Sequence, residues 1–312
     1  MLNNQINILF LGGAKRVSLA ERLILAGKSL GKAVKIFSYE LDKFVPIAAI
    51  GEVIIGKKWK DVDIYEHLNE TIKNHQIHII IPFLDPATVT ASVLKEQNSA
   101  IFIPVSDEKT CEIFFDKAKA NQWFLEHKFP VPHQNSSQFP LIAKPVKGSA
   151  SQGILKIESK AELIDFANKN EVEKYLIQQF IDGDEFTVDC YVDIYGEIMS
   201  VVPRKRLETI GGEVSKSITQ KEELMIEIAE NILQKANFRG PITIQFLKDA
   251  QQCYIMEINP RLGGGVITSI EAGADIPLMI LKDFLQIKNT KITNWQANLL
   301  MMRANREFFI QT

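Results

Sequence analysis

Cysteine is scarce: Cys111, Cys190 and Cys253 are the only three in 312 residues, far apart and without a CxxC spacing. That argues against a disulfide framework or a structural zinc site and points to a reducing compartment. The five histidines are scattered, none at a metal-ligand spacing. No apolar run approaches the roughly 20 residues that span a bilayer. The opening MLNNQINILFLGGAKR places its basic residues after its apolar run, the reverse of a secretory leader, so a cytoplasmic protein is expected. Neither sign of charge is in excess, with 36 Lys and Arg against 38 Asp and Glu for a net charge of −2. A nucleic-acid or membrane-surface partner recruited by bulk positive charge is therefore not expected, and any polyanion site must be a local cluster. Internal repeats and low-complexity tracts are also missing.

What is present is an ordinary globular balance, 46% hydrophobic and 24% charged, over a length that suggests about two domains. The first third alternates strand and helix signals. INILFLGG, VKIFSYELD, GEVIIGK, IHIIIPFLD and AIFIPVS are short runs rich in Val, Ile and Phe, with helical segments between them. That is the pattern of an open parallel α/β sheet, with right-handed crossovers, over residues 1–105. From about Ser106 the chain changes to α+β. DEKTCEIFFDKAKANQWFLEH reads as one helix, and strands and single helices follow to the C-terminus, giving a second domain over 106–312.

The densest chemistry is in YIMEINPRLGGG, residues 254–265. Alternation along a strand puts Glu257 and Asn259 on one face, with Ile255, Met256 and Ile258 filling the rest. Two oxygen-bearing side chains at a strand end suit a hard cation such as Mg²⁺, and Gln245 on the preceding strand offers a third oxygen. Arg261 and the run Gly263–Gly265 would lie beside it, with backbone free to approach a phosphate or carboxylate. A surface acid before a glycine turn is the alternative. In LIAKPVKGSASQGI a strand delivers Lys144 into a loop of small residues able to close over phosphates, or to serve as a plain hairpin tip. It is no Walker loop, since GxxxxGK[ST] is absent. YLIQQFIDGDEFTVD offers Gln179, Phe180 and Ile181 to an adenine and Glu185 to a ribose, although an isolated acid is more often a solvated turn. VPRKRLETIGGEVSK places Arg204, Lys205 and Arg206 ahead of a glycine pair, as a cleft-facing basic strand end or as a solvated charge run. FLGGAKR followed by Glu40 or Asp42 gives a weak dinucleotide pattern without GxGxxG; a turn that helps to bind an acceptor substrate is preferred.

Taken in order, Lys117, Lys144 with its small-residue loop, QQFIDGDE, Gln245 and EINPR resemble the ATP-grasp superfamily. Within it they are most similar to one synthetase module of the carbamoyl-phosphate synthetase large subunit. The likeness runs from about Ser106 to the end, and the first third resembles the pre-ATP-grasp domain of such enzymes. The resemblance implies a nucleotide cleft between two α+β subdomains, with a lid at about 140–182. Lys117 and Lys144 look like its two phosphate-side cations, and Gly148, Ser149 and Gly153 like parts of the lid loop. Gln179 and Ile181 would flank the adenine, and Glu185 would hold the ribose. Gln245, Glu257 and Asn259 would bind Mg²⁺, with Mn²⁺ as a substitute, and Arg261 would act on the transferred phosphate or the acid substrate; Arg206, at the basic strand end read above, is a second candidate for that role.

It further implies an ATP- and Mg²⁺-dependent ligase that activates a carboxylate as an acyl phosphate for capture by an amine or similar nucleophile. Its partners would be small molecules, with a homodimer as the default assembly. Many family members carry an acid where this chain has Gln245, and the lid loop is short, with Ser149, Ala150 and Ser151 where glycines are usual. One module without a second copy is not a complete carbamoyl-phosphate synthetase. Two other readings are a nicotinamide-dependent oxidoreductase built on the first domain and a non-catalytic nucleotide-binding regulator.

Overall fold

The computed structural model describes residues 4–134, 136–148, 152–250 and 252–310. It contains a parallel sheet, a small antiparallel lid sheet and a large antiparallel sheet. No helix among the described residues is long and apolar enough to cross a membrane.

The first sheet comprises β1 (Gln5–Leu11), β2 (Ala33–Glu40), β3 (Glu52–Ile55) and β4 (Ile79–Pro82) in the order β3-β2-β1-β4, all parallel. Helix α1 (Val17–Ser29) joins β1 to β2 and α2 (Ile64–Asn74) joins β3 to β4, while α3 (Asp85–Gln97) follows β4. β1 reads as a continuous apolar run because both its faces are covered. Ile6, Ile8 and Phe10 enter one core with α1, while Leu9 and Leu11 enter the other with α2 and α3. AIFIPVS does not become a full strand. Only Phe102 bridges to Ile79, through the bonds Ile80 N–H to Phe102 O and Phe102 N–H to His78 O. Pro104, two residues on, has no N–H to extend the ladder.

The helix expected from residue 107 onward is two helices, α4 (Glu108–Phe115) and α5 (Lys117–Glu126). Asp116 breaks it: its backbone is extended, and its carboxylate accepts from the N–H groups of Ala118 and Lys119, capping α5. The break brings the Lys117 N–H to the carbonyl of Val146, so a phosphate-side lysine begins a helix against the lid.

The lid is the sheet β6-β5-β7, formed by β5 (Leu141–Pro145), β6 (Leu155–Ile157) and β7 (Tyr175–Gln179), and covered by α6 (Lys160–Lys169). Its core is small, Leu141, Ala143, Ile157 and Phe166 at the centre. The large sheet runs β12-β11-β8-β9-β10-β13. Its strands are β8 (Asp184–Val192), β9 (Ile198–Ile210), β10 (Glu213–Thr219), β11 (Gly240–Lys248), β12 (Cys253–Asn259) and β13 (Leu300–Met302). On one face lies α7 (Glu223–Lys235), whose Met225, Ala229, Ile232 and Leu233 repeat at helical spacing against Val188, Cys190 and Ile244. After β12 come α8 (Ile267–Glu271) and α9 (Ile276–Phe284). Leu262, Val266, Ile276 and Ile280 share a core with Leu19 and Leu23 of α1, so the C-terminal part of the chain is packed into the first sheet's own core.

A second fastening joins first domain and large sheet at Gly240. Its φ is +76°, and a Cβ there would lie 2.0 Å from the carbonyl oxygen of Pro104. Backbone conformation and close approach both demand glycine. Gly240→Ala is expected to cost on the order of 3 kcal/mol of unfolding free energy, the sum of left-handed strain and a backbone collision. Gly31→Ala, at φ +69° with nothing within 4 Å, should cost only about 1 kcal/mol. Urea denaturation of the two variants tests the difference.

Candidate active site

A cleft of about 300 Å³ opens between the lid and the large sheet. Its floor is the pair β11–β12, where Gln245 stands directly opposite Glu257. Next to that pair the ladder slips: Phe246 pairs with Ile255, leaving Met256 as the extra residue of a β-bulge. Met256 and Glu257 consequently both line the cleft, where unbroken alternation would have sent Met256 to the opposite face. Met256, expected only to fill the rest of the strand, is brought into the cleft lining by this slip.

β5 of the lid supplies Lys144, which is 6% exposed. Its ammonium makes no hydrogen bond or close ion pair among the described residues. Burial, followed by the nearby charge of Lys117, pulls its pKa down to about 8, against the opposing pull of Glu257 and Glu185. Lys117 Nζ donates to the carbonyl oxygen of Gly148 at 2.7 Å and lies 3.5 Å from Glu257 Oε2. It thus ties the lid loop to the floor. Gly148 lines the cleft at φ +134°. Gly153, at φ +71°, packs 3.0 Å from Pro145 by its virtual Cβ and leaves the lining to Gln152 and Ile154. Ser149 lies outside the described residues.

The far wall is the crossing from lid to large sheet, Gln179 to Ile181. The N–H groups of Gln179 and Phe180 are bonded to His133 O and Pro140 O, whereas the N–H of buried Ile181 has no partner among the described residues. An apolar wall with one open backbone donor is suited to an adenine edge. Glu185, half exposed at the rim, receives Arg206 Nη1 at 3.0 Å. The basic trio divides as strand alternation requires. Arg206 reaches the cleft; Lys205 turns away to Asp184 at 2.6 Å; Arg204 is buried against Asp189 at 2.8 Å, with Ser269 Oγ also donating to that carboxylate.

Three expectations fall elsewhere. Gly263–Gly265 do not line the cleft. A Cβ on Gly263 would meet Thr243 Oγ1 at 2.9 Å, and one on Gly265 would meet Arg204 Nη1 at 2.6 Å, so these glycines allow the loop to lie on the buried Arg204–Asp189 pair. Arg261 is held outside the cleft, its Nε 2.5 Å from Asp85 Oδ1 of α3 and its Nη2 donating to Asn259 Oδ1 at 3.0 Å. Asn259 turns its amide N–H to Glu257 Oε1 at 3.0 Å and sits in a small recess beside the cleft floor. The expected metal set is therefore one carboxylate and two amides, with the Asn259 oxygen engaged by Arg261. Among the described residues there is no cluster of three or more His, Cys, Asp or Glu able to hold a metal. Such a set fits Mg²⁺ only jointly with phosphate oxygens, the usual arrangement for this ion at nucleotide sites.

The N-terminal glycine turn is already filled. Glu40, at the end of β2, accepts from Ser38 Oγ at 2.6 Å and from the N–H groups of Gly13 and Ala14, and burial raises its carboxyl above the ordinary range. Those N–H groups are the ones a dinucleotide pyrophosphate would need.

The cleft thus sets Lys117, Lys144 and the Gly148 loop opposite a floor of Gln245 and Glu257, with Asn259 beside it. Residues 171–307 match the family described as ATP-grasp in the biosynthetic pathway with Ter operon. The chain is 32% identical over 136 residues to the carbamoyl phosphate synthase large chain of Caldanaerobacter subterraneus subsp. tengcongensis, covering 39% of this chain and 13% of that protein. It is 24% identical over 314 residues to the formate-dependent phosphoribosylglycinamide formyltransferase of Prochlorococcus marinus, covering 91% of this chain and 77% of the relative. In fold it is similar to the N5-carboxyaminoimidazole synthetase of Staphylococcus aureus complexed with ADP. There the TM-score is 0.73 at 17% identity, over 96% of this chain and 82% of the other.

Lys144 is protonated in the unfolded chain up to about pH 10.5 but in the folded one only to about pH 8. The unfolded state therefore binds more protons between those values, and its burial penalty is full below pH 8 and fades toward pH 10.5. Lys144→Met is expected to raise the unfolding free energy by about 1–3 kcal/mol at pH 7 and by much less at pH 10. Denaturant titrations at the two pH values measure this. Equal gains at both would show that the ammonium is not the cause.

Proposed function

We propose that this protein is an ATP-dependent ligase that activates a carboxylate as an acyl phosphate and passes the acyl group to an amine or similar nucleophile. The observation that carries the reading is Lys144, a buried side chain whose ammonium has no hydrogen bond or close ion pair among the described residues, in a cleft of nucleotide size. A buried cation without a partner is costly in an empty site and is neutralised by an anion placed against it.

In this reading the Ile181 N–H and its apolar neighbours take the adenine, and Glu185, held by Arg206, takes the ribose hydroxyls. Lys117 and Lys144 bear on the phosphates under the Gly148 loop, and Glu257, Gln245 and Asn259 would hold Mg²⁺ against them. The metal supplies charge neutralisation at the phosphates. Arg261, clamped by Asp85, orients Asn259 toward Glu257 and acts through it. Arg206 is the cation placed to meet the acid substrate or the transferred phosphoryl group.

The substrate carboxylate oxygen forms a bond to the γ-phosphorus while the bond to the β–γ bridging oxygen breaks and ADP departs. The amine then attacks the acyl carbon, inorganic phosphate leaves, and the amine proton is lost to solvent. Nothing in this sequence needs a Ser-His or Cys-His pair; positioning and charge neutralisation supply the catalysis. The three cysteines are in keeping with that, since all are buried and free, and burial pushes the Cys111 thiol up to about 12.

Glu257→Gln is expected to leave the melting temperature near that of the parent and to lower acid-dependent ADP release by at least about a hundredfold, because it removes the only carboxylate of the floor. A coupled ADP-release assay across a panel of carboxylic acids with an amine mixture measures it. Retention of full turnover would overturn the floor assignment. Nucleotide binding with no acid-dependent release from the parent protein would favour the regulator.

A further inference from the structure

A second recess, of about 370 Å³, lies at the other end of the large sheet. Glu185 at the cleft and Tyr191 at this recess are six residues apart on β8, about 20 Å of extended chain. Its walls come from the segment joining the first sheet to α4, from α3 and α9, and from the β8–β9 turn with the start of β11.

Two cations face this recess without an acid partner. Lys95 Nζ donates to the carbonyl oxygen of Val105, and Arg239 Nη1 to that of Phe238 at 2.6 Å. Neither forms an ion pair among the described residues. One backbone carbonyl apiece leaves most of their donors unused, since an ammonium has three and a guanidinium five. Burial holds the Lys95 ammonium below its usual range, and Arg239 adds to that.

The one acid in the recess is committed elsewhere. Asp283 Oδ2 accepts from the Tyr191 hydroxyl at 2.8 Å and from the Ile194 N–H at 3.2 Å, and its Oδ1 accepts from Asn289 at 2.6 Å. Apart from Ser99, the remaining lining is apolar, chiefly Phe102, Pro104 and Ile194.

The cationic wall is built in advance. Gly196, at φ +91°, leaves room for Arg239, whose Nη2 would stand 2.9 Å from a Cβ there. Ser106 Oγ bridges the Arg239 backbone, accepting from its N–H at 3.1 Å and donating to its carbonyl at 3.4 Å. A guanidinium fixed beside a half-buried lysine, above an apolar floor, is a receptor for negative charge carried on an apolar body.

We propose that this recess is a second ligand site, which binds a small organic anion bearing a phosphate or carboxylate on an apolar or aromatic body. Lys95 and Arg239 hold the anionic end, and Phe102, Pro104 and Ile194 pack against the body. Because the walls come from the first sheet's helices, the linker, the large sheet and α9, the ligand fastens those layers together at a distance from the cleft. This site does not rest on the ligase reading.

The test is calorimetric titration of the full chain with phenyl phosphate and, separately, with benzoate. Saturable binding of the first alone assigns a phosphate, of the second alone a carboxylate, and of both a general anion site. Lys95→Gln and Arg239→Gln should each weaken binding by about tenfold, the usual effect of losing one charge-assisted hydrogen bond, and Lys95→Arg should restore it. Lys144→Met, altered only in the cleft, should leave binding unchanged. If either glutamine variant is too unstable to titrate, Ile194→Glu carries the test. Ile194 is 38% exposed, so a carboxylate there is tolerated and should occupy the two cations, abolishing binding without lowering the melting temperature. Absence of saturable binding by either probe overturns the proposal. So does binding that Lys144→Met removes while Ile194→Glu leaves intact, which would put the probe in the cleft.

Discussion

The site depends on a lysine ammonium that has no hydrogen bond or close ion pair among the described residues. Lys144 is carried into the cleft by β5, a strand whose neighbours Leu141 and Ala143 are buried in the lid core, so its position is fixed by packing rather than by a polar partner. Desolvation dominates its environment and lowers its pKa, with Glu257 as only a partial counterweight. Such an arrangement is costly to the empty protein, which is the usual relation between a functional site and the stability of its frame. An anionic ligand would remove the conflict, and in the proposed reading that differential favours binding of a phosphate in the cleft.

The surrounding structure serves this arrangement by local irregularities. Asp116 ends one helix and caps the next, which places Lys117 between Gly148 and Glu257. The bulge at Met256 turns the β12 end so that Glu257 meets Gln245 across the cleft floor. Asp85 reaches from α3 to Arg261, and Arg261 in turn holds Asn259, so the helix that follows the first sheet has a direct mechanical connection to the floor. The packing of α9 on α1 and the approach of Gly240 to Pro104 fasten the same two parts at other points.

Much of this was legible in the sequence because it rests on regular periodicity. The parallel first sheet, the hairpin of β8 and β9, and the pairing of β11 with β12 follow from apolar runs and turn residues. What escaped depends on contacts distant in the chain or on single-residue breaks. The slip at Met256 leaves no mark in composition, and alternation alone misplaced it. The helix break at Asp116 carried one signal, an acid followed by Lys and Ala in the manner of an N-cap, within a segment otherwise helical in pattern. Gly263–Gly265 looked like ligand-binding backbone, and only the buried Arg204–Asp189 pair beneath them explains their small size. Glu40 and the glycine turn each looked available to a ligand, and each is the other's partner. The Lys95–Arg239 pair joins residues 144 positions apart, beyond any reading of local pattern.

The central claim is that Lys144 is an unpaired ammonium poised for nucleotide phosphate. Its most direct test is NMR titration of the lysine side-chain signals, with Lys144→Arg used for assignment, in the free protein and with Mg-ADP. The account predicts one lysine titrating near pH 8 in the free protein and moving upward by more than a pH unit when Mg-ADP is bound. A Lys144 signal that titrates near 10.5 in both states would contradict it.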